Sequence, residues 1–275
     1  MHGVYDILKS LKLGDHKWDV NNYDYVDIVN NLTDNDLEIV RLIDSIGDGE
    51  LSAIGITIQH QDLVRKLPKE LGCDFYESNL YGFCTITYEE MRHGFILKEL
   101  ASLVKNGKSF IENATGNHLY ELMYETNTLY KNAYESLLSY LLGEITNIEL
   151  YSSIESHIES NNFRKIIINI KKDEIKHKAA WIKIISRMVK SKDVHRKNFT
   201  DAVISSHFIH QAEVSNYFVQ GANDVSRFFT TSTYKKVLED KYETLIQIFG
   251  ELPISKRDLF YEFSEYYNKK IKKVN

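Results

Sequence analysis

Two stretches of this chain each place a carboxylate and an imidazole in the middle of an otherwise apolar helix face, and few folds accommodate that twice. Around TYEEMRHGFILKEL (87–100), the residues Phe83, Ile86, Glu90, His93, Leu97 and Leu100 stand three or four apart. In a helix they share one face. Around KKDEIKHKAAWIKIISRM (171–188), Ile167, Ile170, Glu174, His177, Trp181, Ile184 and Met188 repeat the pattern with the same Glu-x-x-His insertion. Two further segments each carry one acid in the equivalent place. One is Ile43, Ile46, Glu50, Ile54, Thr57, Gln61 and Val64; the other is Leu137, Leu141, Glu144, Ile148, Tyr151 and Ile158. Asp48 is the nearby rival of Glu50, which lies just after Gly47 and Gly49. Glu149 competes with Glu144, although Glu144 fits the apolar face better.

A lone buried carboxylate costs several kcal/mol in practice, so it is rarely kept without a cation. No lysine or arginine stands on these four faces to compensate four acids and two histidines. Two divalent metal ions would do so, because four carboxylates balance their charge and neutral imidazoles add nitrogen donors suited to iron. The alternative is that the glutamates face solvent and the histidines are satisfied core groups. One glutamate from each of two helices, with Glu-x-x-His from each of two others, is the ligand arrangement of di-iron and di-manganese carboxylate bundles. The expected set is therefore Glu50, Glu90, His93, Glu144, Glu174 and His177. Glu89 and Asp173, each preceding a ligand, are expected either to support it or to face solvent.

Only two prolines, Pro68 and Pro253, interrupt 275 residues, so long helices are possible nearly everywhere. Residues 1–33 read as an irregular lead-in with one short helix. A helix follows the Thr33-Asp34-Asn35-Asp36 cap and runs to about Arg65, and 66–81 reads as a connection. Further helices are expected over about 84–105, from Leu119 or Leu129 to Ser160, and over 163–189, with a polar turn at Asn161-Asn162. Additional segments lie near 199–221, 225–249 and 255–272. The expected fold is all-α and a single domain over 1–275, with the metal-binding bundle over about 35–190 and extra helices over about 199–272.

TYEEMRHG (87–94) and KDEIKH (172–177) closely resemble the two Glu-x-x-His motifs of the soluble acyl-carrier-protein desaturases, members of the ferritin-like di-iron superfamily. The resemblance covers about residues 35–190. It implies a ferritin-like four-helix bundle in which the six residues above bind two iron ions, with manganese or a mixed pair also compatible. It further implies O2 as co-substrate, an electron donor such as ferredoxin, a homodimer, and a small-molecule or carrier-bound fatty-acyl substrate that is desaturated or hydroxylated. KDEIKH also resembles the corresponding segment of aldehyde-deformylating oxygenases, and arylamine N-oxygenases share the general pattern. A ferritin-like iron-binding or storage protein is the alternative outside enzymes.

Other features carry less. Tyr151 and Trp181 are candidates for electron transfer or for plain core packing. Thr57, and Thr146 or Asn147, are candidates to hydrogen-bond a small ligand at the metals. His207, His210 and Glu213 form a second possible ligand patch, and Lys190, Lys192, His195, Arg196 and Lys197 a possible dock for an acidic carrier. A net charge of -5 gives no reason to expect nucleic-acid binding. Two cysteines are too few for a disulfide framework, and no stretch is long and apolar enough for a membrane span, so the expectation is a cytoplasmic protein.

Overall fold

In a computed structural model, which describes residues 18, 20–77, 82–113, 130–203, 205, 230–252 and 255–256, every regular element is helical and no strand occurs among those residues. A 3-10 turn at Val20–Asn22 leads into α1 (Tyr25–Asn30). There follow α2 (Asp34–Leu51), α3 (Ala53–Val64), α4 (Lys69–Glu77), α5 (Cys84–Asn106), α6 (Phe110–Asn113), α7 (Ala133–His157), α8 (Asn161–Ser191), α9 (193–203) and α10 (Thr231–Phe249). The chain divides into two compact units. The first comprises Met1–Thr128 with Ile154–Ala180, and the second Leu129–Ser153 with Trp181–Asn275.

In the first unit α5 is the hub, packing most extensively along α2 and also against α1, α3 and α6. The α2–α5 contact is made backbone to backbone. A Cβ on Gly94 would lie 2.7 Å from Leu51 Cγ and 3.0 Å from the Gly47 carbonyl oxygen, and one on Gly47 would lie 2.9 Å from Lys98 Cδ. The two helices run antiparallel through this point. Lys98 Nζ reaches Asp44 at 2.6 Å and Asp48 at 2.9 Å on one side, and the Thr57 and Thr87 hydroxyls meet at 2.6 Å on the other. Glu50 and Glu90 lie between those levels.

Asp36 fixes where two helices begin. Its carboxylate accepts from the Thr33 N–H, while the Thr33 hydroxyl accepts from the Asp36 N–H, closing a capping box at the start of α2. The same carboxylate accepts from Glu159 N–H at 2.8 Å and Ser160 N–H at 3.0 Å, ahead of α8. Asn35 adds a bond to the His157 carbonyl at the end of α7. The break between α7 and α8 therefore falls at 158–160, and the expected turn residues Asn161 and Asn162 are instead the first residues of α8.

Three other boundaries differ from expectation. The helix from Asp34 is interrupted at Ser52, whose hydroxyl donates to the Gly49 carbonyl at 2.6 Å and competes with the helical ladder. The stretch 66–81, expected to be only a connection, contains α4. Pro68 stands just before that helix, where its missing N–H is no loss, and its carbonyl accepts from Leu71 and Gly72. The third long helix begins at Ala133, and the sequence-based starts at Leu119 and Leu129 lie outside the described residues. By contrast α5 ends where the sequence places it, with Gly107 in the left-handed region at φ 64°.

The core of the second unit gathers Tyr134 and Leu138 of α7, Phe199 of α9 and Val237, Leu245 and Phe249 of α10, all buried. Tyr134 packs edge-on to Phe199 at 4.9 Å, and its hydroxyl lies 3.0 Å from His195 Nδ1. Arg196 donates to the Phe249 carbonyl at the end of α10. Of the segments expected near 199–221, 225–249 and 255–272, residues 204, 206–229 and 257–272 lie outside the described residues.

Gly94→Ala is expected to destabilise the protein by about 1–3 kcal/mol, although alanine is the better helix former, because the added methyl has only backbone and a branched carbon to displace. Chemical denaturation checks this; an unchanged midpoint would show that the α2–α5 contact is looser than described.

Candidate metal centre

Antiparallel α5 and α8 turn their Glu-x-x-His pairs toward each other within the first unit. Periodicity alone puts each glutamate and histidine on one face, and the facing helix supplies the partners. His93 Nδ1 lies 3.0 Å from Glu174 Oε1 and 3.5 Å from Glu90 Oε2. His177 Nδ1 lies 2.9 Å from Glu90 Oε1 and 3.9 Å from Glu174 Oε2. Glu50 joins from α2: one donor atom from each of Glu50, Glu90, His93 and Glu174 lies within 4.8 Å of all the others, and Glu90, Glu174 and His177 meet the same limit. All five side chains are buried.

Glu90 Oε2, both Glu174 oxygens and His93 Nδ1 are buried with no hydrogen-bond partner, despite the short distances between them. Among the described residues the only cationic groups within ion-pair distance of Glu90 and Glu174 are the two imidazoles. Leaving several such atoms unsatisfied is costly, and acceptors converging on one point are what a divalent ion requires. Carboxylate oxygens with imidazole nitrogens and no thiolate form a donor set that fits iron or manganese.

The outer nitrogen of each histidine is held by the opposite helix. His177 Nε2 lies 2.6 Å from Glu89 Oε2, and His93 Nε2 lies 3.5 Å from Asp173 Oδ2. The residue before the glutamate in each motif thus braces the histidine of the other motif. A carboxylate there favours the tautomer with Nε2 protonated, leaving the Nδ1 lone pair facing inward. Asp173 is itself gripped by Arg92 at 2.6 Å and Lys176 at 2.8 Å. The Arg92 guanidinium lies 4.3 Å over the Trp18 ring and donates to the Trp18 carbonyl, while that ring stacks on His93 at 5.9 Å and 5°.

Electrostatics follow from burial and crowding. Burial, then the negative charge of Glu90, pushes the Glu50 carboxyl well above its usual range. Burial alone would raise Glu90 as well, but hydrogen bonding from Glu50 and the neighbouring His177 and His93 hold it well below. Burial would lower His93, yet its carboxylate neighbours Asp173, Glu174 and Glu90 outweigh that and raise it well above the ordinary value. Asp173, raised by burial, is brought below the carboxylate range by His93 and Lys176.

Of the six expected ligands, Glu50, Glu90, His93, Glu174 and His177 come together in the first unit. Glu144 belongs to the second, where it is buried on α7 and accepts from the Trp181 indole N–H at 3.2 Å. Its rival Glu149 instead pairs with Lys236 at 2.6 Å, and Asp48, the rival of Glu50, pairs with Lys98. Glu89 and Asp173 support the histidines and are not on the solvent face. Thr57 meets Thr87, and Thr146 donates to the Leu142 carbonyl of its own helix. Tyr151 is fully buried, as is Trp181 beside Tyr140. The expected basic cluster over 190–197 is not one surface, because His195 is completely buried against Tyr134. His207, His210 and Glu213 lie outside the described residues.

Sequence reasoning missed Trp18 and the inward role of Arg92. Arg92 sits inside the first motif, one residue before His93, and a buried arginine near two acids was a usable signal. Trp18 lies in an aperiodic stretch that gives none.

Two outcomes are expected. In the absence of a cation, Glu50 and His93 hold protons to higher pH than usual, and a metal ion must displace them. Affinity for a divalent ion should therefore rise as pH increases through those raised values, with protons released on binding. Calorimetry in buffers of different ionisation enthalpy measures that release. Glu89→Gln should weaken metal binding roughly 10–100-fold with little change in fold, since it leaves His177 poorly oriented.

No family model, curated protein or solved structure matches the chain.

Proposed function

We propose that this chain is an O2-activating non-haem di-iron oxidoreductase built on a ferritin-like four-helix bundle, with Glu50, Glu90, His93, Glu144, Glu174 and His177 as the iron ligands. What carries the reading is the buried set of converging carboxylate and imidazole groups, in which Glu90 Oε2, both Glu174 oxygens, His93 Nδ1 and His177 Nδ1 lack a hydrogen-bond partner. It is supported by the resemblance of TYEEMRHG and KDEIKH to the acyl-carrier-protein desaturase motifs. The leading substrate class, drawn from that resemblance alone, is a fatty-acyl chain on a carrier.

When bound, the iron ions would supply the oxygen chemistry needed to break an unactivated C–H bond. The chain's own residues do the rest. Glu89 and Asp173 hold the imidazoles so that Nδ1 faces inward. The apolar residues flanking the ligands, among them Ile86, Leu97, Ile167 and Ile170, keep bulk water away. In a desaturation, O2 takes two electrons and two protons with the two hydrogens of the substrate and leaves as two waters. A one-electron carrier must therefore act twice per turnover.

Anaerobic loading with ferrous iron is expected to give two ions per chain, and O2 exposure with a panel of acyl-carrier and amine substrates should oxidise one class. A Glu90→Ala/His177→Ala double variant should lose the iron. Iron binding unchanged in that variant would remove the metal assignment, and substrate-independent mineralisation would point to storage instead.

A further inference from the structure

The outer face of α8 in the first unit carries a charge pattern that the metal centre does not use. Between Arg164 and Lys178 the helix has six basic residues and two acids, and both acids, Asp173 and Glu174, are turned inward at 2% and 0% exposure. Over this stretch α8 itself therefore presents only positively charged side chains to solvent, in a chain whose net charge is -5. Arg164 donates to the Ile158 carbonyl, Lys171 pairs with Glu155, and Lys176 pairs with Asp173. Lys165 and Lys172 are exposed, and no carboxylate among the described residues compensates them. At about 100° per residue, Lys165, Lys172, Ile175 and Lys176 fall in one sector of roughly 100°. Ile175, at one edge of it, is 49% exposed.

This face is also close to the centre. Lys176, on the surface, pairs with Asp173 Oδ1, and Asp173 Oδ2 lies 3.5 Å from His93 Nε2. A single carboxylate separates the basic face from a proposed ligand.

We propose that the Lys165–Lys172–Ile175–Lys176 face of α8 docks an acidic protein that carries one electron at a time to the centre. The proposal rests on the di-iron reading above, which requires two external electrons, one from each of two encounters with a reduced carrier. Charge complementarity selects an acidic partner, and the exposed Ile175 beside the lysines supplies an apolar contact next to the charged ones. A nucleic acid would call for a basic surplus that the chain lacks, and one exposed isoleucine is too little for a membrane surface.

The test titrates the iron-loaded full-length protein with a reduced, acidic plant-type [2Fe–2S] ferredoxin at low and moderate salt. Affinity is read by calorimetry and iron content is measured separately. Binding is expected to weaken steeply with salt. Lys165→Glu/Lys172→Glu should weaken it by roughly tenfold or more, Lys165→Arg/Lys172→Arg should retain it, and Ile175→Ser should weaken it without altering the salt dependence. Iron content and the unfolding midpoint should be the same in all four proteins. No binding by the parent protein, or charge reversal without effect, would overturn the proposal. So would anionic vesicles or duplex DNA occupying the same lysines while ferredoxin fails to compete. A chain that docks ferredoxin through these lysines but holds no iron would instead overturn the di-iron reading, because docking is measured as affinity and not as turnover.

Discussion

The close approach of α2 to α5 at Gly47 and Gly94 is the constraint from which the first unit follows. With no side chain at either position, the backbones touch and the register of the two helices is set. Glu50 lies one turn beyond Gly47 and Glu90 one turn before Gly94, so an antiparallel crossing there brings the two carboxylates to one level. Larger residues would separate the helices by the width of a methyl group, and a ligand set spaced for a metal ion has little tolerance for that.

Around this crossing, polar groups are assigned by how many partners each finds. Asp44 and Asp48 share the Lys98 ammonium, and Glu149 takes Lys236. Asp173 is held by Arg92 and Lys176. Glu90 and Glu174, both buried, have no lysine or arginine within ion-pair distance among the described residues, and Glu90 Oε2 and both Glu174 oxygens lack a hydrogen-bond partner. The contrast separates acids that stabilise the fold from acids whose burial needs another explanation. It also shows why Arg92 does not neutralise Glu90 and Glu174: its guanidinium is spent on Asp173 and the face of Trp18.

Much of this was legible from residue spacing. The 3.6-residue period placed Glu90, His93, Glu174 and His177 on facing stripes, and it favoured Glu50 over Asp48 because only Glu50 continues an apolar face. Gly107 ended α5 for the local reason that a left-handed residue is required there. What stayed hidden was tertiary. Gly47 reads as a weak point in a helix until a second helix needs the space above it. Glu89 and Asp173 are off their own stripes, and only the opposite helix turns them into histidine partners. The start of α8 was misplaced because Asn161-Asn162 looks like a turn, while the groups that fix the break belong to Asp36, more than a hundred residues away in sequence.

Asp36 gives the centre a common origin of measurement. Its carboxylate marks the start of α2 and receives the N–H groups of Glu159 and Ser160 at the foot of α8. Glu50 stands fourteen residues beyond Asp36, and Glu174 stands fourteen beyond Ser160. At about 1.5 Å per residue, both candidate ligands rise roughly 21 Å from the same anchor. The two helices therefore act as matched rulers read from one zero. Adding or removing a residue between anchor and ligand in only one of them would shift that ligand by about 1.5 Å and turn it through about 100°, whereas an equal change in both would leave their depths aligned.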